Sequence, residues 1–457
     1  MNELNIDYIL ELIENRKFGI LKNELSNLQP PDIALIFDEL SEKDVIILFR
    51  LLPKELASDV FVEMESDQQQ LLIEAFSDKE LKEVVDELFM DDTVDIIDEM
   101  PANVAKRILK ATDPKTRKMI NQLLAYPDDS AGSIMTTEYI DLKKDMTVDM
   151  AFDRIRSIGF DAEEIYSCYV TDRYRNLLGI VSVKQLLLNS KETLISDIMD
   201  TNIISARTLD DKEEVANMFE HYDVLALPVV DKENRLVGIV TVDDAIDVMQ
   251  EEATEDIEKM AAILPSEHTY FRTGVFETFR ARIPWLLLLM ISATFTGSII
   301  ANFEGKLSKF IALIAFIPML MDTSGNSGSQ SSVTVIRSIS TGDIEFSDIF
   351  KVLWKEFRVA ILCGVVLATV NALKLFFIDN MMFHRFDTGK ELLEILVVCG
   401  TLLLTVMVAK IIGSMLPILA KKIGFDPAVM ASPLITTIVD AVSLLIYFSL
   451  ATVIIGV

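Results

Sequence analysis

The chain has 457 residues, room for two to four domains at roughly 150 residues each, and a formal net charge of −29 with 51% hydrophobic residues. The charge is lopsided: residues 1–268 hold 58 Asp/Glu against 27 Lys/Arg, whereas residues 269–457 hold 13 against 15. An acidic soluble region joined to a nearly neutral one with long apolar runs argues against nucleic acid as a partner and for divalent cations and a lipid membrane. Cys168, Cys363 and Cys399 form no paired motif, so neither a disulfide framework nor a cysteine zinc site is expected. The start, Met1-Asn-Glu-Leu-Asn-Ile-Asp7, has no basic stretch ahead of an apolar core and so reads as no cleavable signal peptide.

Residues 1–129 read as an acidic domain of helical repeats. Pro30–Pro53, Lys54–Ser77 and Asp78–Pro101 are 24 residues each, Ala102–Pro127 is a slightly longer copy, and each holds two apolar-periodic stretches, the signature of stacked helix pairs. In Phe89-Met-Asp-Asp-Thr-Val-Asp-Ile-Ile-Asp-Glu-Met100, Asp91, Asp95 and Asp98 fall at helical spacing on one face, with Asp92 and Glu99 beside them. Asp91 and Asp92 also suit a helix N-terminus as dipole complements.

A second repeat follows. Ser133-Ile-Met-Thr136 returns as Asp197-Ile-Met-Asp200, and Leu178-Gly-Ile-Val-Ser-Val183 as Val237-Gly-Ile-Val-Thr-Val242. Each copy reads as strand, helix, strand, glycine turn, strand, helix. The pattern resembles a tandem CBS pair, with copies at 130–194 and 195–249. Such pairs often hold adenine nucleotides through a Ser/Thr-x-x-Asp element; Thr241-Val-Asp-Asp244 keeps it, but Ser182-Val-Lys-Gln185 lacks the acid, which argues against a nucleotide.

Residues 243–268 read as a long linker helix. Asp244, Asp247, Glu251, Glu255 and Glu258 lie within roughly 80° of one another at 100° per residue. Like charges at that spacing repel. Either the face is solvated or a cation bridges it, and Mg²⁺ suits sites with few carboxylates and several waters.

Residues 269–457 read as a transmembrane domain with five spans, at about 284–303, 310–338, 357–378, 393–420 and 428–457. Nine flanking Lys/Arg on one side (Arg272, Arg280, Arg282, Arg337, Lys351, Lys355, Arg358, Lys421, Lys422) against four on the other (Lys306, Lys309, Arg385, Lys390) place the acidic region in the cytoplasm and the C-terminus outside. Asp440 lies inside the last apolar run, where a carboxylate is costly and marks a functional site, or else a neutral acid capped by Thr436 and Thr437. Asp322, Asn326 and Gln330 enrich the second span, where open backbone lining a water-filled path is expected. Asp426 marks a mouth, and Pro433 interrupts the last helix. His221, His268 and His384 are scattered and no phosphate loop occurs, so no enzyme is expected.

The helical repeat, the CBS-like pair, the run from Thr-Val-Asp-Asp244 to Glu-Ala-Thr-Glu-Asp-Ile257, the sequence Gly325-Asn-Ser-Gly-Ser-Gln330 and the run from Asp426-Pro-Ala to Thr436-Thr-Ile-Val-Asp440 together resemble the MgtE family of magnesium channels and transporters. That resemblance implies a multidomain membrane protein: an all-α helical-repeat N-domain, an α/β tandem CBS pair, a long linker (plug) helix and a five-helix α transmembrane domain. It implies a plasma-membrane homodimer with its pore on the two-fold axis, Asp440 of each subunit holding hydrated Mg²⁺ and Asp426 near the inner opening. It further implies closure by cytosolic Mg²⁺ at Asp91, Asp95, Asp211, Glu213, Asp223, Asp244, Asp247, Glu252, Glu255 and Asp256. Ser432 stands where family members can carry an Asn near the pore, and with Thr436 it falls in the pore lining that the resemblance implies. Val224, Lys184 and Gln185 replace the aromatic, Arg and acid of nucleotide-binding members, so an adenine nucleotide at the CBS pair is doubtful.

Overall fold

The structure, a computed structural model, describes residues 6–160, 162–266, 270, 273–307, 311–379, 391–430 and 432–455. Arg272, Lys309, Arg385 and Lys390 of the orientation argument lie outside the described residues, as do the side chains of Lys306 and Ser432. The chain divides between Gln250 and Glu251 into two compact units.

In the first unit each sequence repeat is a helix pair: Pro30–Asp38 with Glu42–Phe49, Lys54–Val62 with Ser66–Ala75, Asp78–Val85 with Met90–Glu99, and Ala102–Ala111 with Pro114–Leu123. The helices are short, so end chemistry and burial decide them rather than propensity. Ser77 and Glu80 form a reciprocal capping box, and Asp113 accepts from Lys115 N at 2.7 Å. Phe49, Phe61 and Phe76 pack ring against ring across successive pairs at 5.4 to 6.5 Å.

Two three-stranded sheets follow. Tyr139–Lys143 pairs parallel with Glu164–Thr171, which pairs antiparallel with Leu177–Ser182; Ala206–Arg207, Ala226–Val230 and Leu236–Thr241 repeat the arrangement. The hairpin turns are equivalent: Asp172 Oδ1 accepts from the backbone of Tyr174 and Asn176, and Asp231 Oδ1 from Glu233 and Arg235. Gly179 and Gly238 sit inside the strands that follow these turns. A Cβ on Gly179 would lie 2.8 Å from Met199 Sδ, and one on Gly238 2.6 Å from Thr136 O, because the incoming chain crosses each strand there.

The helix of the linker runs from Val242 to Met260, and Ala261 begins the connector toward the second unit's long helices. Ala262 takes a left-handed φ of 56°, Ile263 N bonds Glu258 O at 2.9 Å, and Pro265 follows, so the chain reverses.

The second unit holds the helices Val275–Leu307, Ile317–Ser340, Ile349–Lys374, Glu391–Lys422 and Ser432–Ile455. Four helical stretches among the described residues are long and apolar enough to cross a membrane: Val275–Phe303, Phe346–Phe377, Leu392–Lys422 and Pro427–Ile454. The Ile317 helix, 24 residues long, carries Ser, Gly, Asn and Gln through its middle and is not among them. Its backbone is unbroken, contrary to the open backbone expected there, because Pro318 occupies the first turn, where a missing N–H costs nothing. Pro433 likewise opens the last helix instead of interrupting it, after a tight turn at Pro427–Met430. The helices cross closely through small residues: a Cβ on Gly413 would lie 2.2 Å from Gly328 O, so glycine alone fits that crossing.

Candidate metal centre and cation path

The first turn of the Met90 helix faces the CBS pair. Met90 N donates to Glu138 Oε2 at 2.9 Å, and Asp91, 4% exposed, meets Glu163 and Asp244 with one carboxylate oxygen of each within 4.8 Å of the others. Asp244 is oriented by Thr241 Oγ1, which donates to its Oδ2 at 2.6 Å. The Thr-x-x-Asp element thus acts as a helix cap, and in the first copy Ser182 and Gln185 bond each other in the same way.

Gathering acids out of water disfavours their charge. Burial first, then neighbouring carboxylates, push Glu163 up to about 10, Asp92 to about 8 and Asp244 to about 7, and burial raises Asp91 as well. Three converging carboxylates supply the hard oxygen donors that Mg²⁺ or Ca²⁺ takes, and a bound divalent ion would reverse the penalty. Asp91 and Asp92 do stand in the first turn of the Met90 helix, as dipole complements would, but burial outweighs that help.

The sign of the pH response follows. The unfolded carboxylates lose their protons near pH 4, whereas the folded cluster retains its own to higher pH, so the fold binds more protons than the unfolded chain and loses stability as pH rises. The melting temperature of the detergent-purified chain in chelator is expected to fall between about pH 5.5 and pH 8, and millimolar Mg²⁺ to restore most of the loss at pH 8. A melting temperature that holds level or climbs over that interval contradicts the desolvated cluster.

Other expected sensor residues are more dispersed. Asp95 is exposed one turn beyond Asp91. Asp247 lies near Glu63, whose carboxyl is raised by burial and then by Asp247. Asp211 caps the start of the 11-residue helix Lys212–Tyr222, accepting from Glu213 N at 2.9 Å, and Asp223 ends it at φ 52°. Asp211 and Asp223 are thus about 18 Å apart along the helix, not one site within a chain. Glu252 is half-buried. Glu163, in Asp161-Ala-Glu-Glu164, and Glu63, in Glu63-Met-Glu65, lie in short acidic stretches outside the helical acid faces read from the sequence.

In the second unit, Lys259 Nζ lies 2.7 Å from both Glu255 and Asp426. Burial works against its charge, but the bonds to Asp426 and Glu255 outweigh it and Lys259 holds its proton above the usual range. Asp256 is raised by burial and by Asp426. Asp426 also caps the Pro427 turn, accepting from Ala428 N at 2.7 Å.

Asp440 is half-buried beside Gly325, whose Cβ position lies 3.6 Å from Asp440 Oδ1. Thr436 and Thr437 do not cap it, since both hydroxyls donate to Pro433 O at 3.0 Å. On the Ile317 helix, Asp322, Asn326 and Gln330 are exposed along one side, with Asn326 Nδ2 donating to Asp322 Oδ1 at 3.2 Å, while Ser324, Gly325, Ser327, Gly328, Ser331 and Ser332 are buried against their own bundle.

Comparison with known proteins agrees with this division. Residues 317–450 match the MgtE family described as divalent cation transporter, residues 28–129 the MgtE intracellular N domain, and residues 131–192 and 195–251 the CBS domain. The chain is 36% identical to a magnesium transporter MgtE of Thermus thermophilus, covering 96% of each chain, and 35% identical to one of Bacillus subtilis, covering 97% of this chain and 96% of the other. A crystal structure of the cytosolic domain of the Mg²⁺ channel MgtE in complex with ATP superposes with a TM-score of 0.51 at 34% identity, over 53% of this chain and all of that one. With identity of this level along nearly its whole length, and with membrane-length apolar helices behind an intracellular-type N domain, the chain belongs to the MgtE family.

Proposed function

We propose that the protein conducts Mg²⁺ into the cell across the plasma membrane as a homodimer, and that cytosolic Mg²⁺ closes it. The observation that carries this is the exposed row Asp322, Asn326 and Gln330 on the Ile317 helix, which packs against two of the membrane-length helices, with Asp440 beside it. An acid and two amides facing lipid would be prohibitively costly. A second copy across a two-fold axis makes the row one wall of a water-filled path, and the Ile317 helix then counts as the fifth span. Five crossings put the C-terminus outside and the N-domain, CBS pair and linker helix inside.

Mg²⁺ dehydrates reluctantly, so paired Asp440 carboxylates with Thr436 and Ser432 suit recognition through its water shell. An inside-negative potential favours entry by about 2.3 kcal/mol per charge per 100 mV. For closure, Asp91, Glu163 and Asp244 hold one divalent ion between N-domain and CBS pair, while Asp247 with Glu63, and Asp95, Asp211, Glu213, Asp223, Glu252 and Asp256, extend the acidic surface whose repulsion an ion relieves; Glu255 is held by Lys259. The Val242–Met260 helix carries Asp244 near one end and Lys259 near the other, so ordering it reaches Asp426 at the mouth. The relative solved with ATP leaves a nucleotide at the CBS pair a second question. Here Gln185 is committed to Ser182, and we assign the pair a structural, regulatory role.

Proteoliposomes containing the purified chain test the reading. Mg²⁺ uptake exceeding that of Co²⁺ and Mn²⁺ supports it, preference for those ions redirects it to another divalent transporter, and absence of any flux leaves a membrane-anchored sensor.

A further inference from the structure

Lys410, in the middle of the apolar Glu391 helix, is 5% exposed. Its Nζ donates to Ser331 Oγ at 3.2 Å, and Ser331, 2% exposed, donates in turn to Glu356 Oε2 at 2.7 Å. One serine hydroxyl thus links an ammonium and a carboxylate from two other helices. Neither charge belongs to the acidic path described above.

The place of this link along the Ile317 helix is well defined. Gly325 faces Asp440, Ser332 Oγ donates to Met430 O at 3.2 Å, and Ile336 packs on Ala428, two residues from Asp426. Ser331 therefore lies between the levels of Asp440 and Asp426, about 9 Å of helix rise from Gly325. A fixed charge at that distance in a weakly polar bundle acts on a divalent ion twice as strongly as on a monovalent one. Lys410 alone would repel a cation in the path. A buried ammonium bridged to a half-buried carboxylate is an expensive way to join helices that glycine and serine already hold together, so a role through their charge is favoured.

We propose that Lys410 and Glu356 are a charge-balanced pair that sets the electrostatic level of the cation path, and hence its affinity for a divalent ion. The proposal rests on the reading of the Ile317 and Ser432 helices as that path. Lys410 and Glu356 act at a distance, without touching the ion.

The test is the Mg²⁺ concentration for half-maximal flux in proteoliposomes of the full chain. Glu356→Gln leaves the lysine charge uncompensated and raises that concentration about tenfold; Lys410→Gln leaves the carboxylate and lowers it about tenfold; the double variant returns toward the wild type. A pair that only braces the bundle moves both single variants the same way, and that result, or shifts smaller than about twofold in both, overturns the proposal. If Lys410→Gln does not fold, Glu356→Gln decides alone, and a fall or no change in the half-saturating concentration refutes the pair. If the wild type itself carries no Mg²⁺, the functional reading fails separately. The pair is then read by Mn²⁺ binding, followed by electron paramagnetic resonance, at the site that Asp440→Asn removes; the same opposite shifts support the proposal, and shifts of one sign overturn it.

Discussion

Asp440→Ala is expected to cut Mg²⁺ flux at least about a hundredfold, because in a dimer both carboxylates that hold the ion vanish together and each contributes on the order of a kcal/mol or more against a divalent charge at a shielded site. Folding is expected to survive. The neighbouring Thr436 and Thr437 hydroxyls already donate to Pro433 O, so removing Asp440 leaves neither without an acceptor. Replacing a costly partly buried charge with a methyl group also relieves desolvation. Flux in proteoliposomes, with size-exclusion behaviour and melting temperature as controls, checks both halves. A variant that retains more than about a third of wild-type flux would place ion recognition elsewhere.

The triple variant Asp91→Asn, Glu163→Gln and Asp244→Asn is expected to conduct at cytosolic Mg²⁺ concentrations that shut the wild type, with the half-inhibiting concentration raised at least about tenfold. Each substitution keeps an oxygen acceptor, and Asn at 244 can still take the bond from Thr241, so the local caps remain. The same change removes the repulsion among three desolvated acids, so the melting temperature in chelator at pH 8 should rise and keep only the weaker pH dependence that Asp92 still carries. Melting and gating together separate a lost sensor from a damaged fold. A triple variant that melts higher yet closes at the wild-type Mg²⁺ concentration shows the cluster to be a stability feature and not the switch.

Local patterns were readable in the sequence where periodicity is strong. The 24-residue helix pairs and the two sheets appear where spacing and turn residues put them, and Asp91, Asp244 and Asp426 stand at ion-pairing or acid-gathering positions. Contacts between distant segments were not readable. Glu163 precedes a strand, outside the helical acid faces read from the sequence, and reaches Asp91 only because the Met90 helix docks on the CBS pair. The single acidic stripe read along the linker helix is divided in the fold. Asp244 joins the buried cluster, Glu255 is neutralised by Lys259 one turn on, and Glu258 accepts from Ser266 N at 3.0 Å. That helix stops at Met260, and a non-glycine residue, Ala262, takes the left-handed conformation that normally signals glycine. Lys410 carries the same signal that singles out Asp440, an ionisable residue inside an apolar run; its serine-mediated link to Glu356 needs the three helices packed.

The most direct test is Mg²⁺ flux through the wild-type chain in proteoliposomes held at an inside-negative potential, with Mg²⁺ on the face bearing the N-domain titrated from about 10 µM to about 10 mM. Mg²⁺ should enter freely at the low end and stop in the millimolar range, as the acidic surfaces around Asp91, Glu163 and Asp244 take up ions. No Mg²⁺ entry at any concentration, or entry unaffected by the titration, would contradict a Mg²⁺ path that its own cargo closes.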